Sequence, residues 1–359
     1  MLTVAIDGLA LSDGSQYRGI GTYLRELING LSEHEVQPVV LADASATVPS
    51  TARHELISRR LPARWRSREH ERRLPRDVVR SGAALLHTPA QLPPRRSQVP
   101  WVHTLHDLTP LVFRHPLLER DRRHWLAVGP RLRAANAVIC VSGSTADQLS
   151  RLFAVDRALM HVVPLGVTQD FRPDGPRVER SPFVLWVSAW GPHKGLAEAV
   201  AVVAELADAG LPHRLVVAGR QDPWMSAQVR DTIGRGRRPD LVDVAGYVAD
   251  MPTLYRGADA VIVSSRAEGF GLPALEAMAC GIPVVAFDNT SLPEVVGTGG
   301  VLVPDGDVAA MADAVRRVVS EASYRQELSA AASEHATGFT WARTVGAHAE
   351  VYRAVAEAG

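Results

Sequence analysis

Short β-branched runs alternate with amphipathic segments, stop at a stretch dense in proline and glycine, and then start again. This is the feature that most limits what the chain can fold into. The spacing predicts strands at Thr3–Ile6, Pro38–Ala42, Ala84–His87, Trp101–Leu105, Ala137–Val141 and His161–Val163. After the break it predicts strands at Phe183–Val187, Arg214–Ala218, Val242–Ala245, Ala260–Ser264, Pro283–Phe287 and Gly300–Val303. Helical patterns fall between them, at Gly21–Leu31, His115–Arg133, Gly195–Ala209, Pro273–Ala279, Asp307–Glu321, Ser323–Thr337 and Trp341–Glu357. Strand and helix in turn is the pattern of parallel α/β layers. The break carries Pro164, Gly166, Pro173, Gly175, Pro176 and Pro182, a density that reads as an interdomain linker. At 359 residues the chain is too long for one ordinary core. The expected architecture is two doubly wound parallel-sheet, Rossmann-like domains facing across a cleft. The first covers 1–168 and is joined by a terminal helix at 341–359; the second covers 169–340.

Several function classes drop out on composition. Lys+Arg and Asp+Glu both total 39, so no global basic footprint for nucleic acid exists. No apolar run reaches the ~18 residues of a membrane span. The start, Met1-Leu2-Thr3-Val4-Ala5-Ile6-Asp7, reads as a first strand and not as a signal peptide. Cys140 and Cys280 stand far apart without metal-ligand spacing, so no disulfide framework, zinc site or other metal is expected. They fit the small buried residues of a cytoplasmic protein. Lys194 is the one lysine among 39 basic residues. A solvated loop cation in so arginine-rich a chain would be arginine, which makes that position worth attention.

In doubly wound sheets ligands bind at the carboxyl ends of strands. The densest segment there runs from Ser264 to Gly281 and includes Glu268-Gly269-Phe270-Gly271-Leu272-Pro273. A buried strand leads into a loop with two glycines, and a helix opens with Pro273 in its first turn. Gly269 and Gly271 let backbone approach a ligand, and a helix start attracts phosphate. Glu268 and Glu276 flank this anion site, suited to accept hydrogen bonds from sugar or ribose hydroxyls. A dipole-stabilised helix start alone accounts for Glu276. It leaves Glu268 and the glycines unexplained.

Those residues, with seven residues between Glu268 and Glu276, resemble the signature of retaining glycosyltransferase family 4, of the GT-B fold. The likeness continues through Val217-Ala218-Gly219-Arg220, Val244-Ala245-Gly246-Tyr247-Val248, Leu292-Pro293-Glu294 and Asp305-Gly306-Asp307 in the same order. An ordered set of this kind is specific where one motif is not. The resemblance implies a nucleoside-diphosphate sugar as donor substrate and no cofactor. Lys194, in Trp190-Gly191-Pro192-His193-Lys194-Gly195, matches a family lysine that contacts the donor diphosphate. Glu268 would hold the sugar and Glu276 the ribose, with Gly269, Phe270 and Gly271 around the diphosphate and Arg220 and Tyr247 on the donor side. Relatives often carry an arginine upstream of the lysine, where this chain has Ser188. Arg266, Arg220 or Arg18 is then needed for a second positive charge.

In the first half, Gly19-Ile20-Gly21 opens a helix after the first strand. It fails as a dinucleotide fingerprint, since position 24 is Leu24 and not glycine. It is similar to the first-strand loop of mannosyltransferase-like members, which tilts the donor toward GDP-mannose. His106, just past a strand end and followed by Asp107, matches a family histidine beside donor sugar and acceptor. His103, inside the strand, reads as packed, and His87 stays between an acceptor-side and a structural role.

The stretch from Arg59 to Arg80 holds nine arginines with Trp65, Leu74 and Val78 interleaved. The ordinary reading is a solvated helix face. The sharper one is peripheral contact with anionic headgroups at the inner membrane face, or with a prenyl-diphosphate acceptor. The expected function is sugar transfer to a hydroxyl of a glycan, lipid-linked sugar or natural product. A sugar-nucleotide-binding subunit without activity, or a GT-B epimerase or phosphorylase, is the alternative.

Overall fold

The computed structural model describes residues 1–12, 16, 19–56, 63–89, 93–219 and 223–358. It divides the chain into two compact units, Met1–Gly166 with Phe339–Gly359, and Val167–Gly338.

The first unit is a seven-stranded, all-parallel sheet: β1 (Leu2–Asp7), β2 (Val36–Ala42), β3 (Arg53–Leu56), β4 (Leu85–Thr88), β5 (Trp101–Leu105), β6 (Ala137–Cys140) and β7 (Met160–Val162). The order across the sheet is β3-β2-β1-β4-β5-β6-β7. Its helices are α1 (Gly19–Leu31), α2 (Ala63–Ser81), α3 (Thr109–Val112), α4 (Glu119–Val128) and α5 (Gly143–Phe153). The central strands β4, β5 and β6 are buried along their whole length. Mostly apolar strands are what a parallel sheet covered on both faces favours, and the buried His87, Thr88, His103 and Thr104 are the exceptions here.

The second unit repeats the plan with six parallel strands: β8 (Phe183–Val187), β9 (Arg214–Ala218), β10 (Val242–Gly246), β11 (Ala260–Val263), β12 (Val284–Asp288) and β13 (Gly300–Pro304). They are ordered β10-β9-β8-β11-β12-β13. Its helices are α6 (Leu196–Asp208), α7 (Pro223–Gly234), α8 (Met251–Gly257), α9 (Leu272–Ala279), α10 (Leu292–Val296), α11 (Val308–Ser320) and α12 (Ala322–Ala336). The last helix, α13 (Trp341–Ala358), belongs to the first unit and packs on α1. Gly30 on α1 faces Val345 on α13, and a side chain added there would meet the valine at 3.1 Å.

Both sheets are doubly wound, as the alternation predicts. Three differences have local causes. Strand β3 escapes the pattern because Arg53-His54-Glu55-Leu56 lacks β-branched residues and pairs only at the sheet edge beside β2. The predicted helix over His115–Arg133 is shorter, because Pro116 and Pro130 start 3-10 turns on either side of α4. In the basic stretch, residues 59–62 lie outside the described part and the rest falls on α2. There Leu74 and Val78 are 2% and 1% exposed and pack into the core, while the side chain of Trp65 lies outside the described part. Among the described residues, no helix is long and apolar enough to cross a membrane.

Candidate active site

In both sheets the strand order reverses beside the first strand, between β1 and β4 and between β8 and β11. Loops leaving the carboxyl ends on either side of such a reversal diverge and leave room for a ligand. In the second unit those two loops carry Lys194, after β8, and Glu268, after β11. Lys194 Nζ donates to Glu268 Oε1 at 2.8 Å and to Oε2 at 2.9 Å. The side chains are 21% and 13% exposed, so the pair is largely withdrawn from water.

Local chemistry fixes this pair. Gly195 caps α6 with φ +69°, and a Cβ there would stand 1.9 Å from the Ser264 carbonyl oxygen. Only glycine lets the lysine loop lie so close to the end of β11. Ser264 Oγ donates to the Gly195 carbonyl at 2.6 Å, and the Arg266 N–H donates to the His193 carbonyl at 2.7 Å. On the other flank, Thr290 Oγ1 accepts from the Glu268 N–H at 3.0 Å. Ser291 Oγ donates to the carbonyls of Glu268 at 3.1 Å and Phe270 at 2.8 Å. The Glu268–Gly271 loop is thus held on both sides before any ligand arrives. Gly271, at φ +107°, caps α9.

Burial pushes the Glu268 carboxyl upward, but the Lys194 charge and the hydrogen bonds from Lys194 and Ser265 outweigh it and hold it below its usual range. Glu268 is an ionised acceptor. Glu276, half-buried on α9, differs: burial raises it to about 7, against the pull of a 2.9 Å hydrogen bond donated by Tyr255. His193 is driven down to about 3 by burial and by the neighbouring Lys194, so it stays neutral.

Of the predicted donor-side residues, Lys194, Glu268, Gly269, Phe270, Gly271 and Glu276 fall on two adjoining loops and one helix. Tyr247 follows β10 and is 63% exposed. Arg220, like Arg18, lies outside the described residues. Arg266 is committed elsewhere, with Nε on Asp305 Oδ1 at 2.9 Å and Nη2 on Oδ2 at 3.2 Å. It is therefore not an uncommitted second charge. Tyr255, Thr290 and Ser291 also belong to this site; the place of Thr290 and Ser291 just after β12 is the one sequence signal that points to them, and Tyr255, on α8, has none.

Gly19, Gly21 and His106 belong to the first unit. Gly21 is wedged against residue 16, where a Cβ would stand 2.2 Å from the Gln16 carbonyl oxygen. His106, just beyond β5, donates a hydrogen bond to the Pro89 carbonyl, while its buried Nε2 has no partner among the described residues. Burial and the nearby His348 lower it to about 4, so its ring is neutral. The Tyr23 ring meets it edge-on, centroids 4.7 Å apart.

Tyr23 heads a buried chain of polar groups. His348 Nδ1 lies 2.7 Å from the Thr344 carbonyl, which can only accept, so that nitrogen carries the proton. A neutral ring then accepts at Nε2 from Tyr23 Oη, 2.8 Å away. Tyr23 in turn accepts from Thr104 at 2.9 Å, and Thr104 from His87 Nε2 at 2.8 Å. His87 Nδ1 accepts from Tyr352 at 2.8 Å. Each direction follows from the last, and the chain stitches α13 to β4, β5 and α1. His87 and His103 are wholly buried, and both ring nitrogens of His87 are bonded within this chain. Among the described residues, no cluster of His, Cys, Asp and Glu is arranged to hold a metal ion.

Comparison with known proteins agrees with this arrangement. Residues 17–171 match the family description "Glycosyltransferase Family 4", and residues 181–321 match "Glycosyl transferases group 1". A D-inositol 3-phosphate glycosyltransferase of Actinosynnema mirum is 33% identical over 346 residues, covering 88% of this chain and 77% of that protein. An O-antigen chain mannosyltransferase B of Escherichia coli is 28% identical, covering 67% of this chain and 66% of that one. The solved sucrose-phosphate synthase of Thermosynechococcus elongatus superposes with a TM-score of 0.83 over 100% of both chains at 21% identity. Two doubly wound units, a lysine–glutamate pair at the second reversal and this relatedness lead to one conclusion: the chain belongs to glycosyltransferase family 4 and has the GT-B fold.

Proposed function

We propose that this glycosyltransferase is retaining and metal-independent, and that it moves a sugar, mannose from GDP-mannose by preference, to an acceptor hydroxyl. The observation that carries the reading is the Lys194–Glu268 pair across the β8/β11 reversal. Transfer needs a held diphosphate, a held sugar and a placed acceptor. Lys194 supplies a compact positive charge for the diphosphate as negative charge builds on it, and the opening of α9 adds its dipole. Glu268, ionised and acceptor-only, takes sugar hydroxyls; Glu276 takes the ribose. His106 is neutral and weakly basic, which suits orienting a hydroxyl better than removing its proton. The acceptor oxygen bonds to C1 on the face the nucleotide leaves, the C1–phosphate oxygen bond breaks, and that oxygen takes the acceptor's proton. The acceptor is a glycan, a lipid-linked sugar or a natural product.

A thermal-shift panel over GDP, UDP and their sugars tests the donor assignment. A ligand that binds only the folded state raises the midpoint by mass action. GDP and GDP-mannose are expected to raise it most. No shift with any nucleoside diphosphate would contradict the reading.

A further inference from the structure

Tyr255 is the least explained buried group beside this site. It sits on the short helix α8, is 0% exposed, and has its ring edge-on to Phe171 with centroids 5.8 Å apart. A buried tyrosine hydroxyl needs a partner, and here the partner is one oxygen of Glu276, at 2.9 Å. We propose that Tyr255 is a positioning residue for donor binding: its hydroxyl occupies Oε2 of Glu276, fixes the carboxylate plane, and leaves Oε1 for the ribose hydroxyls of the donor. This rests on the assignment of Glu276 to the ribose.

The geometry makes the role more than packing. A half-buried carboxyl with no donor beside it gains a proton, and a protonated acid is a poor acceptor for two hydroxyls. The bond from Tyr255 favours the ionised form that a ribose diol needs. The other ionisable neighbour, Cys280 at the end of α9, is kept neutral by burial, which pushes its thiol up to about 12. Arg256, beside Tyr255 on α8, spends its guanidinium on the carbonyls of Pro176, Arg172 and Asp170. Among these neighbours only Tyr255 donates to Glu276, so its loss should appear as altered protonation.

The test is Tyr255→Phe in the full chain, which keeps the ring against Phe171. Binding of GDP and UDP is compared with that of their 2′,3′-dideoxy analogues by calorimetry, from about pH 6 to about pH 9. Above about pH 8 the wild type is expected to favour the ribose forms by about tenfold, and by less toward about pH 6, where Glu276, raised to about 7, gains its proton. Tyr255→Phe should lose that preference at a higher pH than the wild type does, because without the tyrosine hydroxyl Glu276 keeps its proton further up the range. Donor KM should follow the same course, with kcat at saturation changed less than about twofold. A preference in the variant equal to wild type at every pH would overturn the proposal and leave the ribose assignment standing. A wild type blind to the missing hydroxyls would overturn both. Glu276→Gln covers the case in which Tyr255→Phe does not fold: its preference should be weak and indifferent to pH, and a wild-type preference would count against the proposal.

Discussion

Replacing Lys194 with alanine is expected to lower turnover at saturating donor by about 10²–10³-fold, the scale of losing one preorganised charge partner. The lysine is bonded to both oxygens of Glu268 at 2.8 and 2.9 Å, so its ammonium is already placed and needs no rearrangement of solvent when charge builds on the diphosphate. Alanine also strands Glu268, which is 13% exposed, without its cation. The carboxyl would then rise toward protonation, and stability would fall. Lys194→Ala/Glu268→Gln separates the two effects. It should regain the melting temperature while staying catalytically poor, because removing a stranded charge restores folding and not the diphosphate partner. Turnover within threefold of wild type in Lys194→Ala would remove the lysine from the mechanism.

The second large effect is on acid stability, and it belongs to the first unit. His87, His103 and His348 are each 0% exposed. Burial lowers all three, His103 to about 3 and His348 to about 4, like charges nearby lower His87 and His103 further, and burial lowers His106 to about 4 as well. An unfolded histidine titrates near 6.5. Below that value the unfolded chain binds protons that the folded unit refuses, so stability falls with pH and is fully present only above it. The loss approaches about 1.4 kcal/mol per histidine per pH unit, or about 5 kcal/mol for the four between about pH 7.5 and about pH 5.5. Against a typical domain stability of about 5–15 kcal/mol this is large. In the second unit, His193 acts in the same direction, while Glu276, raised to about 7, gains a proton in the folded state and offsets it. Calorimetry is expected to show one transition moving down sharply with acid and another nearly stationary. His348→Gln can keep both hydrogen bonds and cannot titrate, so it should flatten the slope by about a quarter. Coincident, pH-independent transitions would contradict the buried neutral chain.

The sheets were legible because buried parallel strands are written as mostly apolar runs, as at Phe183–Val187; its predicted and observed ends coincide, as do those of Trp101–Leu105, where His103 and Thr104 interrupt the run. Strand β3 was not, since an edge strand of Arg, His, Glu and Leu carries no such run. Lys194 and Glu268 were legible for another reason: each stands among glycines after a strand, where backbone must come close to something. The hydrogen-bonded chain through Tyr23, Thr104, His87, His348 and Tyr352 was invisible. Its members are separated by as many as 325 positions, and no local pattern says that a tyrosine on α1 meets a histidine on α13. Tyr255 was hidden in the same way. Its ring looks like ordinary helix packing until Glu276 is brought opposite its hydroxyl.

The central claim is that the sugar is transferred with retention, with charge on the departing diphosphate met by Lys194 and by the opening of α9. The most direct measurement is proton NMR of the product formed from an α-linked nucleoside-diphosphate sugar, with EDTA present throughout. The account predicts an α-linked product at an undiminished rate; a β-linked product, or activity abolished by EDTA, would contradict it.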